Sequence, residues 1–424
     1  MRIVFISSSD TRVIINALLD KFENRDKRSI VTNDSKKTSH APRSIKISLA
    51  TLALPTYFSQ QDPEPRMITN QQMQTLANAN LIQLQWLKGE ENHLLESVAL
   101  THAPRPTHHE LYTLINRIPL SNQRAQLEDM LLADKFRFSE NDWRARALNQ
   151  IVDKLRAGKS PSPFSLSASD FNADLLSALL ALSALQAETP HRVFSVRVFN
   201  DTKRFDDLRP ALIRLARQAN PEWRSFTNED LLRELNLVAN PGYIHLSGNW
   251  QFTTVDGEVL SLNGFFPSVG FPAAQISSIQ TVAVHADSVL CIENLTSFHE
   301  YITKRLHPTP HATICLMGNP SPAIRRLLRL IPEETEIKLW SDMDYGGFNI
   351  LSQLRRYVGE QIKPYLMDIN TLETNVPRAR PLTVSDHKNL KFLFRRPELR
   401  DVYSVIEHLL KHGLKLEQEG IEDF

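Results

Sequence analysis

The chain has 424 residues, a formal net charge of +1, and 42% hydrophobic and 23% charged residues. These values are typical of a globular protein of several domains with no overall bias towards nucleic acid, so any DNA-binding field must come from local clusters. No apolar run approaches the roughly 20 residues of a membrane span, and the N terminus makes a poor signal peptide, which together predict a cytoplasmic protein without a membrane partner.

The first hundred residues predict a helix, a strand, a second helix and a hairpin. Apolar spacing and alternation assign these elements to residues 11–24, 45–54, 70–79, 81–86 and 94–100. This order is typical of a winged helix, a module that serves either DNA or protein contacts. We therefore predict a winged-helix-like N-terminal domain over residues 1–105.

The middle of the chain predicts a helical arm with a linker over residues 106–189 and a central winged-helix, CAP-like domain over 190–284. The linker is the Ser- and Pro-rich stretch Gly158–Asp170. An apolar helix follows it, which indicates burial in the core or in an interface. In the central domain, Tyr243–Ser247 and Trp250–Thr254 resemble a hairpin that turns at Gly248 and Asn249.

Strands and helices alternate regularly from residue 286 onward. The four strands are predicted at Val289–Glu293, Thr313–Met317, Ile337–Trp340 and Ile362–Met367. Alternation of this kind predicts βαβ units and a parallel sheet. We place this α/β domain at residues 285–424. The two cysteines, Cys291 and Cys315, lie inside these apolar strands, where core packing explains them.

Three acidic residues follow two of these strands. Glu293 ends the first strand, and Asp342 and Asp344 follow the third. Because the carboxyl ends of parallel strands share one edge of a sheet, we expect the three carboxylates to lie close together and to bind Mg²⁺ or Mn²⁺. Glu293 could serve as a metal ligand, a general base or a general acid, while an isolated Asp-x-Asp is also common in solvated turns.

Several basic residues are candidate contacts to DNA phosphates. The stretch Arg25–Lys46 is either a solvated loop or a phosphate-contacting arm, and helices after the strands carry further arginines, for which ordinary surface pairing is the alternative. The candidate DNA-binding residues are Lys36, Lys37, Lys203, Arg204, Arg325 and Arg326.

The block from Val289 to Asp368 resembles a Toprim domain, the metal-binding module of type IA and type II topoisomerases and primases. The family's marks are a glutamate after the first strand and Asp-x-Asp after the third, which correspond here to Glu293, Asp342 and Asp344. Residues Gly318–Arg326 also resemble the A subunit of topoisomerase VI. This resemblance implies that the three acids are both the catalytic and the metal-binding residues.

A closer resemblance is to the JetD family, the Toprim subunits of Wadjet anti-plasmid systems. It is carried by Arg192–Ser195, Asn200–Phe205, Ile292–Phe298 and Trp340–Phe348. The resemblance implies a Mg²⁺-dependent endonuclease that cleaves double-stranded plasmid DNA by hydrolysis. It also implies assembly with an SMC ATPase, a kleisin and a winged-helix subunit. A homodimer is expected because cutting both strands needs two sites.

Two other functions stay open. Topoisomerase VI attacks DNA with a tyrosine, and none of Tyr57, Tyr112, Tyr243 or Tyr301 has the expected sequence context, which favours water as the nucleophile. The protein could instead be a non-catalytic DNA-binding or scaffold subunit whose acids only organise a turn.

Overall fold

A computed structural model describes residues 6–31, 44–101, 106–304 and 311–421. The chain forms two compact units, Met1–Ala173 and Asp174–Phe424. None of the helices in these ranges combines the length and the apolar character that crossing a bilayer requires. The mixed α/β composition expected from the sequence is confirmed, whereas the finer division into four domains stays a prediction.

The first unit begins with the predicted order of helix, strand, helix and hairpin. Its elements are α1 (Ser9–Val31), β1 (Lys46–Ser48), α2 (Glu64–Asn78), β2 (Ile82–Trp86), β3 (Leu95–Leu100), α3 (Pro106–Leu114), α4 (Leu120–Lys135) and α5 (Trp143–Arg156). Strand β3 lies between β1 and β2 and pairs with both in antiparallel orientation. Residues from α1, α2 and the sheet bury one apolar core. The winged-helix assignment of this domain stays a prediction.

The second unit holds the larger sheet. Helix α6 (Ser169–Ala181) crosses the boundary between the units. The remaining elements are β4 (Thr189–Pro190), α7 (His191–Phe199), α8 (Arg204–Ala219), α9 (Asn228–Glu234), β5 (Leu237–Val238), β6 (Tyr243–Ser247), β7 (Trp250–Thr254), β8 (Val259–Ser261), β9 (Val269–Pro272), β10 (Ile279–Val284), β11 (Ser288–Ile292), α10 (Leu295–Lys304), β12 (His311–Cys315), α11 (Pro322–Arg329), β13 (Glu336–Trp340), α12 (Tyr345–Tyr357), β14 (Ile362–Pro364), α13 (Ile369–Thr374), β15 (Arg380–Pro381), α14 (Val384–Leu393), α15 (Tyr403–His412) and β16 (Leu414–Lys415).

Six strands form the central sheet in the order β14-β13-β11-β12-β6-β9. The first four of these are parallel, as the alternation of strands and helices predicts. Every residue of β11 and β12 is buried, which agrees with their apolar sequences and with helices covering the sheet. In the register, Ile292 lies opposite Trp340, so β11 and β13 end at the same level.

The hairpin predicted from Tyr243–Ser247 and Trp250–Thr254 is wrong. Strand β6 pairs with β9 and β12 in the central sheet, whereas β7 pairs with β8 and β10 in a separate three-stranded sheet. Gly248 redirects the chain with φ +96°, and a Cβ there would approach Ala312 Cα to 3.0 Å. Because β6 and β9 precede residue 285, the central sheet draws strands from both sides of the boundary predicted there.

Candidate active site

Glu293 and Asp342 lie side by side at the carboxyl edge of the central sheet. The Glu293 N–H donates to the Trp340 carbonyl oxygen at 3.0 Å, which extends the pairing of β11 with β13 by one residue. The Asp342 N–H in turn donates to Glu293 Oε2 at 3.3 Å. The register of the two strands therefore brings together residues that are 49 positions apart in sequence.

Asp344 begins helix α12 as its N-cap. Its Oδ1 accepts a hydrogen bond from the Gly347 N–H at 3.0 Å, a common way to satisfy the first turn of a helix. Gly347 is required sterically, because a Cβ there would collide with the Asp342 carbonyl oxygen and with Ser341 Oγ. The loop between β13 and α12 thus fixes both aspartates, and a side chain at residue 347 would displace it.

The C-terminal segment around Gln418 also contacts the site. The sequence alone predicts no functional residue in this segment. Gln418 is 1% exposed, and its backbone N–H donates to Asp342 Oδ1 at 2.8 Å. Its side chain donates to the Trp340 carbonyl oxygen at 2.8 Å and accepts from the Asn294 N–H at 3.0 Å. Gln418 therefore connects the ends of β11 and β13. Sequence reasoning missed this residue.

A short bridge holds this C-terminal segment against the β13–α12 loop. The Met343 N–H donates to the Leu416 carbonyl oxygen at 2.7 Å, and the reciprocal bond measures 3.4 Å. Glu419 then accepts a hydrogen bond from the Asn294 side chain. The segment consequently adds acidic residues to an edge that already carries three.

The electrostatics of this edge raise the pKa of two of its carboxyl groups. Burial raises the pKa of Glu293 to about 8, and the charges of Asp342, Asp344 and Glu419 add to this effect. Burial also raises the pKa of Asp342 to about 6, where the carboxylates of Asp344 and two glutamates of the C-terminal segment contribute. Negative charge accumulates here at a cost in free energy that a cation would relieve.

The three acids offer hard oxygen ligands but are not already gathered around one point. Within the described ranges, no three His, Cys, Asp or Glu side chains are arranged to hold a metal ion. Each carboxylate instead uses one oxygen to accept a backbone N–H, namely that of Asp342, Gln418 or Gly347. Each keeps a second oxygen, which is the atom that Mg²⁺ or Mn²⁺ would require.

The basic residues predicted to contact DNA lie in different settings. Arg325 is 7% exposed, and its guanidinium forms a two-pronged ion pair with Glu234 at 2.9 Å. Its contact with DNA stays a prediction. Arg326 donates to the carbonyl oxygens of Ile276 and Ser277, both at 3.1 Å. For Arg326, a DNA contact stays a prediction.

The remaining predicted contacts differ in exposure. Arg204 pairs with Asp174 at 2.7 Å. Lys203 is exposed, and its backbone N–H donates to Asp201 Oδ1 at 2.7 Å in the turn that precedes α8. Lys36 and Lys37 lie outside the described residues. DNA contact by Lys203 and Arg204 stays a prediction.

Comparison with known proteins gives consistent results for the C-terminal region and for the chain as a whole. Residues 247–423 match the family described as "Wadjet protein JetD, C-terminal". Over 415 residues, the chain is 24% identical to the Wadjet protein JetD of Bacillus cereus (strain Q1), an alignment that covers 96% of this chain and 97% of that protein. The matched family region contains Glu293, Asp342, Asp344 and Gln418. Residues 247–423 are therefore similar to the JetD C-terminal family, and the chain as a whole is similar to the Wadjet protein JetD.

Proposed function

We propose that this protein is the metal-dependent DNA endonuclease subunit of a Wadjet-type complex. The observation that carries the proposal is the shared register of β11 and β13, through which Glu293 accepts the Asp342 N–H at 3.3 Å. Asp344 lies two residues further on, and its charge contributes to the raised pKa of both neighbours. Clustered carboxylates at the carboxyl edge of a parallel sheet are typical of a Mg²⁺ site that acts on phosphodiesters.

In this proposal, Asp342 and Asp344 hold Mg²⁺ or Mn²⁺ through the carboxylate oxygens that accept no backbone N–H. Such an ion, when bound, polarises a phosphodiester and makes water a better nucleophile. Glu293 completes the site as a ligand or as a general acid or base, a role worth roughly 10²–10⁴-fold in rate. Gly346 and Gly347 carry no side chain that would obstruct the scissile phosphate, which fits a polyanionic substrate.

The relative's name, Wadjet protein JetD, supports a place in a Wadjet system. The proposed substrate is accordingly double-stranded plasmid DNA, and the proposed partners are an SMC ATPase, a kleisin and a winged-helix subunit. The sheet that carries the acids is proposed to be a Toprim domain, and the N-terminal domain a winged helix. A homodimer would supply one site for each DNA strand.

Plasmid cleavage by the reconstituted complex tests this proposal, and Asp344→Asn is the sharpest variant. Asparagine is as good an N-cap as aspartate, so the substitution removes the charge while keeping the start of α12. We expect cleavage to be lost with the thermal midpoint nearly unchanged. Asp256→Asn is the matched control, because Asp256 is exposed in the turn between β7 and β8. Full cleavage by Asp344→Asn would refute the assignment.

A scaffold function is the second candidate, because the acids also have structural roles. Asp344 caps α12, and Asp342 accepts the hydrogen bond that fastens Gln418. Calorimetric titration with Mn²⁺ separates the two functions. An endonuclease site should release heat that Glu293→Gln reduces, whereas a scaffold should show the same signal with and without the substitution.

The burial of most candidate tyrosines argues against a covalent tyrosyl–DNA intermediate. Tyr57 and Tyr301 are fully buried and Tyr112 is 4% exposed, while Tyr243 is 57% exposed. Burial also raises the pKa of Tyr57 above its ordinary value, which disfavours a phenolate nucleophile at this position. We expect Tyr243→Phe to cleave normally and expect no covalent adduct after denaturation. A trapped adduct would instead favour the topoisomerase-like function.

A further inference from the structure

A groove lined by arginines lies in the second unit, on α8 and the segment that follows it. Its cavity of about 520 Å³ is lined by Arg209, Pro210, Ile213, Arg214, Arg217, Gln218, Arg224 and Asn228. We refer to this feature as the arginine groove. Four of its eight lining residues are arginines and none is acidic, so the groove carries a concentrated positive charge in a chain whose net charge is only +1.

Two of these arginines, Arg209 and Arg224, have no close acidic partner among the described residues. Arg209 is 44% exposed and reaches Asp206 only at 3.9 Å. Glu222, which lies two residues before Arg224, pairs with Arg356 at 2.6 Å. Arg224 is exposed, and its side chain has no hydrogen-bond or ion-pair partner among the residues that the structure describes. At Arg209 and Arg224, an anionic ligand would therefore compete with few internal carboxylates.

The groove also holds one of its cations in a fixed position. Arg217 donates from Nη2 to the Phe226 carbonyl oxygen at 2.8 Å, which ties its guanidinium to the loop before α9. An adjacent cavity of about 300 Å³ shares Arg209 and Asn228, and it contains Arg233 together with Glu229. The positive surface therefore continues into the adjacent cavity, where Glu229 is an acidic lining residue.

The geometry of α8 fits a nucleic-acid strand. From Arg209 to Arg217 the helix advances about 12 Å, and the intervening lining residues share one half of its circumference. One DNA strand rises about 3.4 Å per nucleotide, so this length spans roughly three phosphates. Planar guanidinium groups bind phosphate oxygens in pairs, which makes arginine better suited than lysine to this contact.

We propose that the arginine groove binds the sugar–phosphate backbone of double-stranded DNA. This rests on the proposed function, since it names a second contact of the same substrate. DNA is favoured over a protein partner because no aromatic side chain lines the groove, whereas the centres of protein–protein interfaces are enriched in aromatic residues. Backbone contacts of this kind hold DNA without reading its sequence.

Fluorescence anisotropy of a labelled duplex with the full chain tests the groove. The titration is done in EDTA, so that cleavage does not interfere. The variant Arg214→Glu/Arg224→Glu should weaken binding at least about tenfold and should make the plot of log affinity against log salt shallower by about two. Arg395→Glu/Arg400→Glu is the control, because both residues are exposed elsewhere in the same unit and the change in net charge is identical.

Each outcome decides one proposal separately. Unchanged DNA affinity of the groove variant, or an equal loss in the control, overturns the groove. Intact DNA affinity with failed assembly of the reconstituted complex would also overturn it and assign the groove to an acidic protein partner. Glu293→Gln should bind DNA like the unmodified chain and fail to cut. Cutting by that variant would overturn the endonuclease proposal and leave the groove standing.

Discussion

The backbone N–H of Gln418 donates to Asp342 Oδ1 at 2.8 Å, although 76 residues separate them. The Gln418 side chain also connects the Trp340 carbonyl oxygen to the Asn294 N–H. One buried residue near the C terminus therefore ties together the loops that carry Glu293 and Asp342. It is a positioning residue in the proposed mechanism, because it acts through the carboxylates rather than on the substrate.

Gln418→Met should separate packing from hydrogen bonding at this position. Methionine nearly conserves the volume but leaves the part-buried Asn294 N–H without its partner and removes one of the two hydrogen bonds to the Trp340 carbonyl oxygen, which costs roughly 1–3 kcal/mol of unfolding free energy. Urea denaturation measures this loss. We also expect weaker Mn²⁺ binding, which a purely structural role remote from the site would not produce.

The control for this prediction is Gln275→Met. Gln275 is exposed, so the same substitution there should change the unfolding free energy by less than about 0.5 kcal/mol. Equal stability of the two variants, with equal Mn²⁺ affinity, would show that Gln418 does not position the acids.

Gly347→Ala should disrupt the loop that holds the two aspartates. The added Cβ collides with the Asp342 carbonyl oxygen, and that atom is backbone and cannot rotate away. We expect a loss of about 1–3 kcal/mol in unfolding free energy together with reduced cleavage. Gly346→Ala is the comparison variant, and we expect it to have a smaller effect. Its Cβ would lie 3.1 Å from Asp344 Oδ1, which is the end of a side chain. A larger effect at residue 346 than at 347 would contradict this explanation.

The proximity of Glu293 and Asp342 was predictable, whereas the role of Gln418 was not. Alternating strands and helices specify a parallel sheet, and parallel strands of matched length end at one edge. Gln418 reaches that edge from a short 3₁₀ turn. No local sequence pattern predicts its contact with Asp342, because the two residues are 76 positions apart. The hairpin error has a related cause, since the pattern around Trp250 identifies a strand but not its pairing partner. Metal binding by the three acids stays a prediction.

The buried ion pair of Arg325 and Glu234 should contribute to stability rather than to DNA binding. Arg325→Met leaves the Glu234 carboxylate, whose side chain is only 12% exposed, without its partner, which costs up to about 3–5 kcal/mol. The double variant Arg325→Met/Glu234→Met should recover much of that loss, as thermal denaturation would measure. Arg329→Met is the exposed control in the same helix. If Arg325→Met flattened the salt dependence of DNA binding at unchanged stability, that result would favour the phosphate contact predicted from the sequence over a structural role.

The stability of the metal-free protein should fall as the pH rises. Burial raises the pKa of Glu293 from 4.5 to about 8, so between these values the folded state binds more protons than the unfolded state. The contribution of Glu293 is thus fully present below about pH 4.5 and is lost as the pH passes through 8. Asp342, with its pKa raised from 3.8 to about 6, acts in the same direction at lower pH.

Denaturation in EDTA at a series of pH values measures this slope, and Glu293→Gln should flatten it between pH 6 and 8. Asp256→Asn, at an exposed position, should leave it unchanged. Because Mn²⁺ competes with protons for the same carboxylates, its affinity should rise over this interval and its presence should reverse the loss of stability. A slope that persists in Glu293→Gln would mean that another group titrates, and the electrostatic account of this sheet edge would be wrong.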